Sequence, residues 1–417
     1  MKITIHRGTA EVGGTMIELN TGKTRILLDA GYPLFYRGEL IQDEWTKKSY
    51  QELLELGVIP SVKGLYRWDE RSFDAVLISH AHSDHFGLLR FIHPEIPIYL
   101  TETTDKLIER NLAFSIRGYS RRDRRVIKMY EPFVVGDFSI KPYLMDHSAF
   151  QAAAFEIRCE GKRLVYTGDF RGHGRRREYL ERFLAEAEKE PDLLLIEGTT
   201  LGRTGEAEGT EEALTEAFKK VMEDSRGIVL CQPASQNIDR IITIYKAAKA
   251  CGKTMVVDRY TANLLKELRK IGYKELPAPS LFRPDIRVYN PLERLGILGV
   301  TGKMIRLRQK QIVMLVRPSM LPALKLMNLE GGVQIYSQWQ VYRRKPAQIR
   351  LDYYLASRGF TGCYLHTSGH AFEEDIKKVI TGLSPKEIVP IHTFCPEAFL
   401  SFSDQAALRQ DGTPFQL

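Results

Sequence analysis

The sequence predicts an α/β protein in which one α/β domain is inserted into another, and three observations carry that reading. Residues before Thr200 read as short strands broken by turns. After Thr200 strands and helices alternate, the pattern of a parallel sheet. Around Gly362–Leu365 and Glu387–Pro390 the chain returns to short strands that each end at a histidine.

The elements follow in order. Lys2–His6, Thr15–Leu19 and Arg25–Asp29 are short β-type runs, separated by turn signals at Gly13 and Gly14 and at Asn20–Lys23. Asp74–Ser79 is an apolar run ending in polar residues, as a buried strand does. Phe155–Cys159 and Arg163–Thr167 flank Glu160, Gly161 and Lys162 as a hairpin, and Leu193–Ile196 is a further buried strand ending at Glu197. Helical periodicity marks Thr103–Leu112 and Arg177–Lys189. The acidic, glycine-containing stretch Glu206–Glu212 reads as the crossing into the insert. The insert then runs as helix Glu211–Asp224, strand Gly227–Cys231, helix Asn237–Ala250, strand Thr254–Asp258 and a helix from Thr261. The expected boundaries are 1–203, 204–359 for the insert, and 360–417 for the return.

Composition narrows the function classes. With 417 residues, 43% hydrophobic and 27% charged, the chain has the balance of a globular protein with a full core. No apolar run approaches the roughly 18–20 residues of a membrane span, and the start MKITIHRGTAEVGG has no signal-peptide pattern. The five cysteines are scattered and form no CxxC, which argues for a reducing, cytoplasmic setting over disulfides or a thiolate metal site. A net charge of +8 favours a polyanionic partner.

The histidines carry the chemistry. Ten are present, and seven sit in four ordered patterns. His80, His82, Asp84 and His85 fall within six residues directly after an expected strand. Alternate positions on an extended loop point the same way, so His80 and His82 can share one metal while Asp84 and His85, at the turn, face a second. Imidazole and carboxylate are the donors zinc takes in open catalytic sites. Of the other histidines, His6 and His93 have no partner pattern, and His173 lies in a basic loop.

His80-Ala81-His82-Ser83-Asp84-His85 resembles the HxHxDH signature of the metallo-β-lactamase superfamily, and further motifs follow in order. Asp29 in LLDAG matches the early aspartate, His147 in MDHS the next histidine, and Asp169 in YTGDF the bridging aspartate. The chain also resembles the β-CASP branch: Glu197 in IEGTT, His366-Thr367-Ser368-Gly369-His370-Ala371, and His392 in VPIH match its acidic and histidine motifs. Ala234-Ser235-Gln236-Asn237-Ile238-Asp239-Arg240 is similar to a segment of the inserted domain. The resemblance spans nearly the whole chain and implies a metallo-β-lactamase αββα sandwich with an inserted α/β β-CASP domain.

Residue by residue, it implies two zinc ions, with manganese as an alternative. His80, His82 and His147 would hold one, Asp84, His85 and His392 the other, and Asp169 would bridge them. Asp84, Glu197 and His370 form the implied catalytic set, with His370 as the proton donor and Glu197 orienting it. Asp29 is implied to fix a loop or a ligand. For His366 and Ser368 two readings stand side by side: a structural cap, or a phosphate pocket at the start of the helical pattern near Phe372. The implied function is RNA hydrolysis, as a 5′–3′ exonuclease, an endonuclease or both, with single-stranded RNA as partner.

The rivals are a β-CASP DNA nuclease, which generally lacks a histidine where this chain has His392, a small-molecule hydrolase on the same fold, and a non-catalytic subunit. The last two lose, respectively, the insert with its Glu197/His370 pair and several ligands, all of which are present here. The chain ends at Leu417 without the long extension of many ribonuclease J proteins, so no oligomeric state carries over. Basic runs at Arg121–Arg125, Arg175–Arg177 and Arg343–Lys345 read either as solvated faces or as phosphate contacts. Tyr336, Trp339 and Tyr342 read either as packing or as base-stacking groups.

Overall fold

Period-two alternation of apolar residues builds the first part of the chain into two sheets that bury a common core. The structure is a computed structural model that describes residues 1–111, 119–203, 209–274, 276–280, 285–290 and 298–417. The chain divides into two units, Met1–Thr204 with Gly369–Leu417, and Gly205–Ser368.

In the first unit a seven-stranded sheet has the order Pro414–Gln416, Lys2–Arg7, Met16–Asn20, Arg25–Leu28, Ala75–Leu77, Ile98–Leu100, Arg124–Val126. A six-stranded sheet has the order Ile388–Ile391, Leu193–Glu197, Lys162–Tyr166, Ala152–Cys159, Phe138–Met145, Phe133–Val135. Alternate residues of both sheets meet: Ile3, Ile5, Ile17, Leu19, Ile26 and Leu77 pack in one cluster with Ile140, Phe155, Ile157, Leu164, Leu195 and Ile391. The opposite face of the second sheet offers Met145, Ala154, Val165, Leu194 and Ile196 to helices Glu178–Glu186 and Glu373–Leu383, which contribute Leu180, Phe183, Ile376, Val379 and Leu383. This is a layered sandwich of two sheets with helices packed on the second, the arrangement that the resemblance to the metallo-β-lactamase superfamily implies.

Strand direction is what gathers the polar residues. Within the first sheet Arg25–Leu28 and Ala75–Leu77 run parallel. Within the second, Phe138–Met145, Lys162–Tyr166, Leu193–Glu197 and Ile388–Ile391 all run one way, Ala152–Cys159 being the antiparallel member between the first two. Each of these six strands delivers a polar residue at or just past its C-terminal end: Asp29, His80, His147, Asp169, Glu197 and His392.

The second unit is a wholly parallel seven-stranded sheet in the order Gly299–Val300, Ile286–Tyr289, Thr254–Val257, Ile312–Leu315, Ile228–Pro233, Gly332–Ser337, Phe360–Tyr364. Helices Glu211–Asp224, Ile238–Ala250 and Arg259–Lys270 alternate with its strands. The return expected at 360 comes later, because Phe360–Tyr364 hydrogen-bonds to Gly332–Ser337 as an edge strand of the insert's own sheet. The helix expected from Thr261 starts at Arg259, since the Asp258 side chain accepts from Thr261 N and caps it. The helix expected to reach Leu112 ends at Glu109, and Leu112 lies outside the described residues, as do residues 206–208 of the expected crossing. Among the described residues no helix is long and apolar enough to cross a membrane.

Candidate metal centre

The loop after strand Ala75–Leu77 does what extended spacing suggests: His80 precedes a one-turn helix, Ser83–Phe86, with His82 at its N-cap and Asp84 and His85 on it. Gly31 is obligatory beneath this turn, because a Cβ there would lie 1.8 Å from the Asp84 carbonyl oxygen. Gly31→Ala is therefore expected to destabilise the fold by about 1–3 kcal/mol, as overpacking does, and to lower metal content; a thermal melt with elemental analysis checks both.

The side chains converge on Asp169. Its Oδ2 lies 3.1 Å from His85 Nε2, 3.6 Å from His80 Nε2 and 3.9 Å from His147 Nε2, and its Oδ1 lies 3.9 Å from His392 Nδ1. His147 Nε2 approaches His82 Nδ1 at 3.1 Å, and His392 Nε2 lies 3.4 Å from Asp84 Oδ2. Three groups of donors, each within 4.8 Å of one another, result: His80, His82, His147 and Asp169; Asp84, His85 and His392; Asp169, Glu197, His370 and His392. The structure thus brings together the seven ligand candidates and the Glu197–His370 pair.

Hydrogen bonds to the far side of each ring select its outward nitrogen. His85 Nδ1 donates to Asp29 Oδ2 at 2.7 Å, and His147 Nδ1 donates to the Gly369 carbonyl. Ser79 Oγ gives its proton to Asp29, so His80 Nδ1 donates to Ser79 Oγ at 3.0 Å. Thr199 Oγ1 donates to the His392 carbonyl, so His392 Nδ1 donates to Thr199 Oγ1 at 2.7 Å. In His80 and His147, Nε2 is left with its lone pair toward the centre, the arrangement that orients metal-binding imidazoles. His85 Nε2 and His392 Nε2 face the carboxylates of Asp169 and Asp84; burial opposes charge on His85, yet Asp169 and Asp29 raise its pKa well above the ordinary value. Asp29 also accepts from Ser79 N and from the Tyr166 hydroxyl, so its place is behind the ligands, holding His85. Ser79, Tyr166 and Thr199 are the participants that sequence reasoning missed. Ser79 and Thr199 flank motif residues, but the inward-facing Tyr166 reads in sequence only as core.

The donors fit a metal. His80 Nε2 is buried with no hydrogen-bond partner among the described residues, and His85 Nε2 and Asp169 Oδ2, though 3.1 Å apart, meet at an angle that forms no good hydrogen bond, a costly state for polar atoms unless a cation takes their lone pairs. Burial holds His80 and His147 well below the ordinary imidazole range, the other rings adding to the shift, and lowers His82 to about 4. These three are consequently neutral and able to ligate at physiological pH. Burial also opposes charge on Asp84 and Asp169, yet the surrounding histidines outweigh it and keep both carboxylates ionised. Asp29 and His392 sit at positive φ, 58° and 51°, backbone strain of the kind that collects at functional sites.

His370 stands at the edge of the cluster. Its Nδ1 lies 3.2 Å from Glu197 Oε2 and 3.5 Å from Asp169 Oδ2. Burial disfavours its charged form, but the two carboxylates prevail and raise its pKa above the ordinary value. Glu197 is itself held by Phe170 N and Thr199 N.

His366 and Ser368 belong to the inserted unit. The helix following in sequence starts at Glu373, with Phe372 at the N-cap and Asp375 accepting from Phe372 N. Ser368 thus stands four positions ahead of the N-cap, and Glu373, Glu374 and Asp375 already complement the dipole of the first turn. Phe372, not Ser368, is therefore the N-cap of that helix. His6 pairs with Glu18, His93 Nδ1 accepts from Glu95 N, and His173 stacks on Phe372 beside Asp375.

Four arginines of two basic runs have partners within their own units. Arg122 donates to the carbonyls of His93 and Ile92, Arg124 pairs with Asp105, and Arg125 pairs with Asp123. Arg343 pairs with Asp352 over the ring of Tyr336, which is buried, while Trp339 and Tyr342 pack edge to face.

Comparison with known proteins agrees with this geometry. Residues 51–222 match the beta-lactamase superfamily domain, and residues 364–405 match the Zn-dependent metallo-hydrolase RNA specificity domain. The chain is 25% identical over 410 residues to ribonuclease J of Helicobacter pylori (strain ATCC 700392 / 26695), covering 94% of this chain and 56% of that protein. It is 24% identical to ribonuclease J of Sinorhizobium meliloti (80% and 60% covered) and 26% identical to an RNase J-like protein of Methanocaldococcus jannaschii (61% and 57% covered). The chain therefore spans less than two thirds of the length of these relatives. Its fold matches the crystal structure of a protein of unknown function from Enterococcus faecalis V583, with a TM-score of 0.80 at 23% identity, covering 100% of this chain and 99% of that one.

Proposed function

We propose that this chain, a metallo-β-lactamase-superfamily protein of the β-CASP branch similar to ribonuclease J, is a metal-dependent enzyme that hydrolyses RNA phosphodiester bonds. The observation that carries the reading is the convergence of buried, unsatisfied ring nitrogens on Asp169 beside a histidine–glutamate pair. His80, His82 and His147 would hold one zinc ion, Asp84, His85 and His392 a second, and Asp169 would serve both, with manganese able to take the same donors. Bound there, the ions supply Lewis acidity toward a phosphate oxygen and lower the pKa of water.

The chain's own residues then handle the proton. Glu197 holds His370 by Nδ1, which leaves Nε2 to carry the transferable proton. The Glu197 and Asp169 carboxylates favour the ring's protonated form against burial, and His370 would deliver the proton to the 3′ oxygen as the P–O bond breaks. Without that proton the leaving group would depart as an alkoxide. Burial of the cluster strengthens each of these interactions.

The substrate reading rests on the RNA specificity match, which begins at Tyr364 and includes His366 and Ser368. These two residues would hold a terminal 5′-phosphate of single-stranded RNA. The test is digestion of end-labelled single-stranded RNA and matched DNA carrying 5′-monophosphate, 5′-triphosphate or 5′-hydroxyl ends. Monophosphorylated RNA is expected to shorten progressively to mononucleotides, the triphosphate to slow it, and Ser368→Ala to narrow that difference at unchanged metal content. Internal fragments appearing first, whatever the 5′ group, would make the chain an endonuclease. DNA cut faster than RNA would overturn the substrate reading.

A further inference from the structure

Within the inserted unit, the residues ahead of Ser368 rest on a charged pair with no access to solvent. Arg240 lies in the first turn of helix Ile238–Ala250, where Asn237 Oδ1 accepts its amide, and both Arg240 and Glu211 are fully buried. The guanidinium donates Nη2 to Glu211 Oε1 at 2.9 Å and Nε to Glu211 Oε2 at 3.3 Å, and Thr243 Oγ1 donates to the same carboxylate. A buried ion pair is expensive and adds little net stability, so its use is to be sought in what it positions.

What it positions is the His366 segment. Arg240 Nη2 donates to the Thr367 carbonyl at 3.2 Å, and Nη1 donates to Ser337 Oγ, which passes its own proton to the Leu365 carbonyl. Thr367 Oγ1 donates to the Gly209 carbonyl. Nη1 also stands 3.2 Å from His366 Nδ1. A guanidinium has no acceptor and keeps its charge at any physiological pH, so Nδ1 must offer a lone pair. A second positive charge at that distance is disfavoured as well.

We propose that the buried Arg240–Glu211 pair is a positioning device that locks His366 as a neutral imidazole with its proton on Nε2, making it a directional hydrogen-bond donor to a phosphate oxygen rather than a cation. The phosphate half of this inference rests on the function proposed above; the tautomer half does not.

The test uses the full chain labelled with ¹⁵N-histidine. In long-range ¹H–¹⁵N spectra at neutral pH, the ring signal that disappears in His366→Gln is expected to show the neutral Nε2–H pattern. In the double variant Arg240→Met/Glu211→Met, which leaves no orphaned charge, that signal is expected to move to a tautomer mixture. The KM for 5′-monophosphate RNA should rise about tenfold, the share of one hydrogen bond to a charged group, while kcat stays unchanged. An Nδ1–H pattern or an imidazolium in the unmodified chain would overturn the proposal, and that measurement requires no variant to fold. An unmoved ring signal or an unchanged KM in a folded double variant would overturn it too. A chain that cuts no RNA would sink the ribonuclease reading, and the spectrum would still decide the tautomer.

Discussion

Chelation of the purified protein is expected to abolish RNA cleavage completely, and added zinc or manganese to restore it. Elemental analysis before chelation should find close to two metals per chain, because two separate donor groups, His80, His82, His147 and Asp169, and Asp84, His85 and His392, each suffice to hold an ion. The physical ground is the unsatisfied state of the centre: His80 Nε2 is buried with no hydrogen-bond partner among the described residues, and His85 Nε2 and Asp169 Oδ2 form no good hydrogen bond with each other. His80 and His147 are neutral for the same reason of burial, so their lone pairs stay available well below neutral pH. Protein free of transition metal, with cleavage indifferent to chelator, would end the metal-dependent reading.

His370→Ala is expected to slow cleavage on the order of 10²–10⁴-fold, the contribution of general-acid catalysis, while metal content is retained. The geometry separates it from the ligand candidates: its Nδ1 faces Glu197 Oε2 at 3.2 Å and its charged form is favoured, whereas burial keeps His80, His82 and His147 neutral. His392→Ala should behave in the opposite sense, lowering occupancy of one metal, since its Nδ1 is tied to Thr199 and its Nε2 points to Asp84. Equal metal loss in the two variants would refute this division of labour. So would normal cleavage by His370→Ala with a leaving group that needs protonation.

The cationic runs show why charge in a sequence is a weak guide to a binding face. Arg122, Arg124 and Arg125 read either as a solvated face or as phosphate contacts, yet each is engaged by carbonyls or carboxylates of its own unit. Arg240, isolated in sequence among apolar helix residues, is the cation with the greater structural role. A run of like charge signals only local composition, and the partner that neutralises a given guanidinium can come from anywhere in the chain.

The clustering of candidate donors was legible in the sequence because metal chemistry restricts donors to a few residue types and short loops restrict their spacing. HAHSDH, with Asp29, His147, Asp169, Glu197, His370 and His392 in fixed order at strand ends, needed no coordinates. The strands were legible too, since half-buried sheets impose an alternation that survives in the sequence, as at Phe155–Cys159. Tertiary structure alone decided the tautomers and the supports. Nothing local marks Tyr166 as a donor to Asp29 across 137 residues, or Thr199 as the group that turns His392. The same holds for the insert's edge, where Phe360–Tyr364 looks like any return strand until its hydrogen bonds to Gly332–Ser337 place it. Periodicity records which face of an element is buried, whereas hydrogen-bond partners far apart in sequence leave no periodic trace.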